Sequence, residues 1–228
     1  VRIRGAWFVA AGLVVAVVTA GLLVMARAGA DTDRCTDRRT AARERAQLVT
    51  GSGDAVLVIG DSYSVGLGVG ADRSWPTRLP GRVQVDGFSG SGFTRDASPC
   101  GDLSYGARAA RGLPGEPGLV VVQGGLNDVD QSEAELVAGF ERLLTAFRDQ
   151  GGERRVLVVG PVSAPDRAHV VPEVDAVLAR LSEDYGVAYL SMLDADLPYL
   201  DDGLHLTPEG HQEFGDLVAA ALSAGAAG

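Results

Sequence analysis

The chain has 228 residues and a formal net charge of −10, and all 20 of its strongly basic side chains are arginine. Phosphate backbones are held by basic faces, so this balance excludes nucleic acid as a partner and points to an acidic, soluble surface. Once the N-terminal segment is set aside, roughly 170 to 190 residues remain, enough for one compact domain with a sizeable core.

Residues 6–26 are almost wholly apolar and follow Arg2 and Arg4, a stretch long enough to cross a bilayer. Ala26-Arg27-Ala28 and Ala28-Gly29-Ala30 both fit a signal-peptidase site. The apolar run nevertheless exceeds the about 7 to 15 residues of a signal peptide. Residues 1–30 therefore read as an uncleaved transmembrane anchor, with a cleaved signal peptide as the alternative, and the membrane is a partner in the first case only. Either way the basic flank stays in the cytoplasm, and the domain is exported, to be membrane-anchored or secreted. Cys35 and Cys100 are the only cysteines, and in an oxidising compartment they are expected to pair. Residues 31–53 are charged and read as a stem with a short helix over 41–48, closed by the turn residues Thr50-Gly51-Ser52-Gly53-Asp54. The domain proper is expected over 54–228.

Residues 56–59 form an unbroken apolar run, the mark of a strand buried on both faces. The run ends in Gly60-Asp61, which puts Ser62 just past the carboxyl end of a strand, where open α/β sheets bind their ligands. Ser62 is thus a candidate nucleophile, to be weighed against a helix cap or turn serine. Gly66, Gly68 and Gly70 follow without the Lys-Ser/Thr ending of a phosphate loop or the dinucleotide spacing, so no nucleotide cofactor is expected. A short helix opens at Trp75-Pro76 and runs to Leu79, and residues 83–85 read as a second strand. The loop Gly87-Phe88-Ser89-Gly90-Ser91-Gly92 comes next, where backbone amides can approach a ligand closely.

A short helix over 104–111 precedes the third strand, 119–123, which ends in Gly124-Gly125-Leu126-Asn127-Asp128. The clearest helix spans 132–150, with Leu136, Val137, Phe140, Leu143, Leu144 and Phe147 at helical spacing. A fourth strand, 156–159, leads into a proline-broken loop over 160–171 that carries His169. Pro172 opens a helix turning Val174, Val177, Leu178 and Leu181 inward, and a fifth strand covers 187–190. The loop 194–206 holds Asp201, Asp202 and His205, after which Thr207 caps and Pro208 starts the last helix. Its inner stripe is read as Phe214, Leu217, Val218 and Ala221. Strand and helix alternate about five times, which implies a three-layer α/β/α domain around a doubly wound, five-stranded parallel sheet. The polar turns after strands one, two, three and five converge on one edge.

Ester hydrolysis by serine requires a hydroxyl, an imidazole to take its proton, a carboxylate to orient that imidazole and donors aimed at the oxyanion. Ser62 supplies the hydroxyl. Of the three histidines, His205 has a carboxylate three residues earlier, Asp202, and stands in a strand-end loop; His169 and His211 are weaker candidates. Asp201 competes for the acid's role, and an orienting carbonyl stands as a further alternative. Donors for the oxyanion are the amide of Ser62, an amide of the Gly90 to Gly92 loop and the side chain of Asn127. None of these roles calls for a metal or an organic cofactor.

Gly60-Asp61-Ser62-Tyr63-Ser64, the glycine loop at Gly90, Gly125-Leu126-Asn127-Asp128 and Asp202-Gly203-Leu204-His205 together resemble the four sequence blocks of the SGNH hydrolases, the GDSL-type esterases and lipases, in the family's order. The resemblance implies a flavodoxin-like fold, with Ser62 as nucleophile, Gly90 and Asn127 completing the oxyanion hole, His205 as general base and Asp202 as its partner. Two departures are visible. Tyr63 stands where the family's name has leucine, and Gly92 offers itself beside Gly90. An α/β-hydrolase is excluded because its GxSxG turn would need glycine at position 64, which is serine. The expected function is hydrolysis of carboxylic esters, of a lipid or an envelope carbohydrate, through an acyl-enzyme. An extracytoplasmic O-acyltransferase using the same triad is the alternative, and a non-catalytic tethered binding module a weaker one.

Overall fold

The computed structural model describes residues 31–225. The chain divides between Arg39 and Thr40 into two compact units, and the sheet belongs to the second. The apolar stretch 6–26 lies outside the described residues, and among those described no helix is long and apolar enough to cross a membrane.

Five strands form the sheet, β1 (Ala55–Gly60), β2 (Arg82–Gly87), β3 (Leu119–Gln123), β4 (Arg155–Val162) and β5 (Ala188–Met192), in the order β2-β1-β3-β4-β5. All pairings are parallel. This is the expected doubly wound α/β architecture, and its winding reverses between β1 and β3. The reason for the unbroken apolar run in β1 is now visible. Val56 and Val58 face one core with Val85, Val121 and Val159, while Leu57 and Ile59 face the other with Val120, Val122 and Val158.

The helices are α1 (31–47), the single turn α2 (Ser62–Val65), α3 (Tyr105–Ala109), α4 (Glu133–Asp149), α5 (Val171–Asp184) and α6 (Pro208–Gly225). The first core is closed by Phe214 and Val218 of α6 together with Trp75. The second is closed by Tyr105 of α3, Phe140 and Leu143 of α4 and Leu178 of α5. Helix α4 starts where its sequence says, because Ser132 and Glu135 form a reciprocal capping box. Thr207 caps α6 by accepting from the Gly210 amide at 3.1 Å.

Three readings are corrected. Among the described residues helix α1 already covers 31–40, ahead of the expected start at 41; its charges are spaced to help a helix, as in the Asp31–Arg34 pair at 2.7 Å. Leu217 is 45% exposed, because the inward position beside it is taken by Gly215. A Cβ there would come within 2.6 Å of the Trp75 carbonyl oxygen, so the helix packs on its backbone. Strand β4 continues through Pro161 to Val162, with a break in register after Val159 that accommodates the proline.

Candidate active site

The carboxyl ends of β1, β2 and β3 and the segment before α6 meet around Ser62. At the end of β1, Gly60 allows the chain to fold back on itself: a Cβ at this position would lie 2.1 Å from Ser64 Oγ. Asp61 then caps the turn α2, its Oδ1 accepting from the Tyr63 amide at 3.0 Å. The capping task that a turn serine might have performed thus falls to Asp61, and the Ser62 hydroxyl is left to meet His205. Ser62 Oγ lies 3.2 Å from His205 Nε2, and His205 Nδ1 lies 2.7 Å from Asp202 Oδ2.

The carboxylate in this chain is Asp202 and not Asp201. Asp202 Oδ1 also accepts from the amides of Leu204 at 2.9 Å and His205 at 2.8 Å. What burial it has opposes its charge, but these amides and the imidazole prevail and hold the carboxyl at about 2. Asp202 is therefore ionised at any working pH. Of the other histidines, His169 is exposed on its loop. His211 is buried behind Tyr63, where its Nδ1 accepts from the Trp75 amide at 3.4 Å. Burial, helped by His205, pushes the His211 imidazole down to about 4, so it is neutral.

The sequence-derived donors are gathered at the same edge. Asn127 Nδ2 donates to the Ser91 carbonyl at 2.9 Å and, more loosely, to Asp61 Oδ2 at 3.4 Å. Gly90 is partly exposed and adopts φ +83°, a left-handed conformation that glycine enters without strain. Gly92 is buried with its Cα against the Asp128 carboxylate, 2.3 Å from where a Cβ would be.

Several residues at the site gave no signal in the sequence as functional groups. Asp61 and Asp128 are both buried, and burial pushes each carboxyl up to about 6 against its hydrogen bonds. Asp128 accepts from the amides of Phe93 and Thr94 and from the Thr94 hydroxyl, fastening the loop after β2 to the loop after β3. Trp75 Nε1 donates to Ser64 Oγ at 3.2 Å, and Ser64 Oγ donates to Gln123 Oε1 at 2.7 Å. Arg108, 5% exposed, joins the ends of β1 and β2 by donating to the Gly60 carbonyl at 2.8 Å and to Asp86 Oδ1 at 2.6 Å. The one available hint was Gln123, a polar residue closing an otherwise apolar strand.

The Ser62 hydroxyl, the His205 imidazole and the Asp202 carboxylate stand in one hydrogen-bonded row on a flavodoxin-like sheet. Residues 58–213 match the GDSL-like lipase/acylhydrolase family. The chain belongs to that family. As a GDSL-like hydrolase it is a serine enzyme acting on ester bonds. A search of curated protein sequences returns no match. Among solved structures, the GDSL-like domain is similar to Est24, a carbohydrate acetylesterase from Sinorhizobium meliloti, at 20% identity and TM-score 0.58, covering 75% of this chain and 99% of that one. It is also similar to an aryl esterase from M. smegmatis, at 19% identity and TM-score 0.57, covering 75% and 99%. At these identities the likeness is one of fold.

Both cysteines, Cys35 and Cys100, are disulfide-bonded, in agreement with the sequence reading.

Proposed function

We propose that the protein is an exported esterase that hydrolyses carboxylic esters, acetyl or other acyl esters of a lipid or envelope carbohydrate, through an acyl-enzyme on Ser62. The observation that carries this reading is the unbroken row from Ser62 Oγ through the His205 ring to Asp202 Oδ2, at 3.2 and 2.7 Å. His205 Nε2 takes the Ser62 proton as the oxygen attacks the ester carbonyl, and Asp202 stabilises the imidazolium that forms. The oxyanion is received by the amides of Ser62 and Gly90 and by Asn127 Nδ2. Collapse releases the alcohol with the proton from His205, and a water activated by the same imidazole then frees the acid.

Gly90 is preferred to Gly92 because Asp128 occupies the space beside Gly92. The longer of the two Asn127 contacts, 3.4 Å to Asp61, is the one a substrate oxygen can displace. A small acyl group is favoured by the name of one structural neighbour, a carbohydrate acetylesterase. Export is supported by the apolar stretch 6–26 and by a disulfide, which persists in oxidising compartments. In this reading residues 1–30 are the anchor, 31–53 the stem and 54–228 the hydrolase domain.

A membrane-impermeant fluorophosphonate applied to intact cells tests both halves. It is expected to label the wild-type chain and leave Ser62→Ala unlabelled, with hydrolysis of p-nitrophenyl acetate by the variant reduced by about 10³-fold or more. Label that persists in Ser62→Ala refutes the nucleophile. Label that appears only after lysis refutes export and leaves the esterase intact.

A further inference from the structure

Tyr63 directly follows the nucleophile and is 1% exposed. Its hydroxyl donates to the Leu204 carbonyl at 2.5 Å, across 141 positions of sequence. That carbonyl belongs to the peptide whose other end is the His205 amide, and the His205 amide donates to Asp202 Oδ1 at 2.8 Å. The two polar ends of one peptide plane are therefore both held, one from beside the nucleophile and one by the acid. A peptide is planar and stiff, so holding both ends fixes the Cα from which the imidazole hangs.

The Tyr63 ring is itself held in place. It meets His211 and Phe214 of α6 edge-on at centroid distances of 5.9 and 6.2 Å, and it lies 6.3 Å from the His205 ring. Burial pushes the phenol pKa far up, so it stays a donor.

The segment that carries His205 runs from β5 to α6 with a lone antiparallel bridge, Tyr199 to Leu206, as its extended pairing. An irregular segment keeps a reacting side chain within about half an ångström only where its backbone is anchored. The Ser62–His205 contact of 3.2 Å is already near the outer limit of a useful hydrogen bond, and a small retreat of His205 breaks it. A leucine at position 63, as in the family's name motif, would have no hydroxyl for the Leu204 carbonyl.

We propose that Tyr63 is a positioning residue for the general base: its hydroxyl, acting through the Leu204–His205 peptide, sets the distance from Ser62 Oγ to His205 Nε2. The inference rests on the reading of Ser62, His205 and Asp202 given above. In the full chain, Tyr63→Phe removes one oxygen and keeps the ring contacts. With active sites counted by fluorophosphonate titration, kcat per titrated site is expected to fall about 10- to 100-fold. KM should stay within about twofold, and the second-order rate of phosphonylation should drop by the same factor as kcat. Tyr63→Leu, which also lacks the hydroxyl, should show the same kinetic pattern. Because Tyr63 and Asp202 hold one peptide, Tyr63→Phe placed in an Asp202→Ala background should cost less than about threefold further. Unchanged kcat per titrated site in the Phe variant overturns the proposal, and so does a loss confined to the number of titratable sites, which is what a merely structural role would produce. Failure of the underlying reading is distinguishable, since it appears as turnover surviving in Ser62→Ala.

Discussion

Three consecutive residues at the turn after β1 divide the work by side-chain chemistry. Asp61 faces inward and caps the turn, Ser62 faces His205, and Tyr63 reaches the segment that carries His205. Asn127 stands opposite, its amide divided between the Ser91 carbonyl and Asp61. Replacing Asn127 by alanine is expected to lower kcat by about 10² to 10³ with KM little changed, because an oxyanion donor acts on charge that develops only in the transition state. Steady-state kinetics on p-nitrophenyl acetate check this, and an equal rise in KM with unchanged kcat would refute the role. Ser62, Asn127, Asp202 and His205 were legible in the sequence because each is a reactive or polar residue just past an apolar run or just before a capped helix. The pairings of Gln123, Asp128 and Arg108 were not. Their partners come from distant turns, loops and strands, and no local spacing encodes those pairings.

Among the elements, α1 bears on the site through one residue. Arg45 is fully buried and has no carboxylate partner among the described residues; its Nε donates to the Ser64 carbonyl and its Nη1 to the Leu48 carbonyl, both at 3.1 Å. Nη2 is left without a partner, and burial pushes the guanidinium down to about 10. A buried cation without a counter-ion is expensive to desolvate, so an apolar side chain of similar length offsets the two hydrogen bonds it removes. Arg45→Met is therefore expected to change unfolding stability by less than about 1 kcal/mol. Arg45→Ala, which empties the same space, should lose about 2 to 4 kcal/mol. Urea unfolding of both variants decides the matter, and equal losses would show that the charge rather than the volume holds α1 in place. The strands were legible to within one or two residues except at β4, where an internal proline hid the last three. Helix α6 was legible in extent but not in facing, since Gly215 lets backbone rather than Leu217 meet the core.

For the molecule as a whole, three buried titratable groups contribute to the dependence of stability on pH, with opposite signs. Asp61 and Asp128 have folded-state values raised to about 6, so the stability they contribute is complete below the unfolded value near 4 and is lost as pH rises through about 6. His211 is depressed to about 4 from 6.5. Its contribution is present above 6.5 and is lost as pH falls towards 4. His211→Gln keeps an acceptor for the Trp75 amide and does not titrate. Relative to wild type, it should gain stability as pH falls from 7 to 4, by up to about 1.4 kcal/mol for each pH unit crossed. Urea unfolding at several pH values measures the difference, and a gap independent of pH would refute the assignment. Sequence alone determined the α/β class and the number of strands and singled out Ser62, Asp202 and His205 as candidates, because a strand buried on both faces must be apolar throughout and a reactive turn at its end must be polar and glycine-rich. Tertiary structure alone decided that Asp128 crowds Gly92 and not Gly90, which side of α6 is buried, and that the Tyr63 hydroxyl reaches the Leu204 carbonyl. Each of these depends on an atom brought from a distant part of the chain into contact range, and that proximity is a property of packing, not of spacing along the sequence.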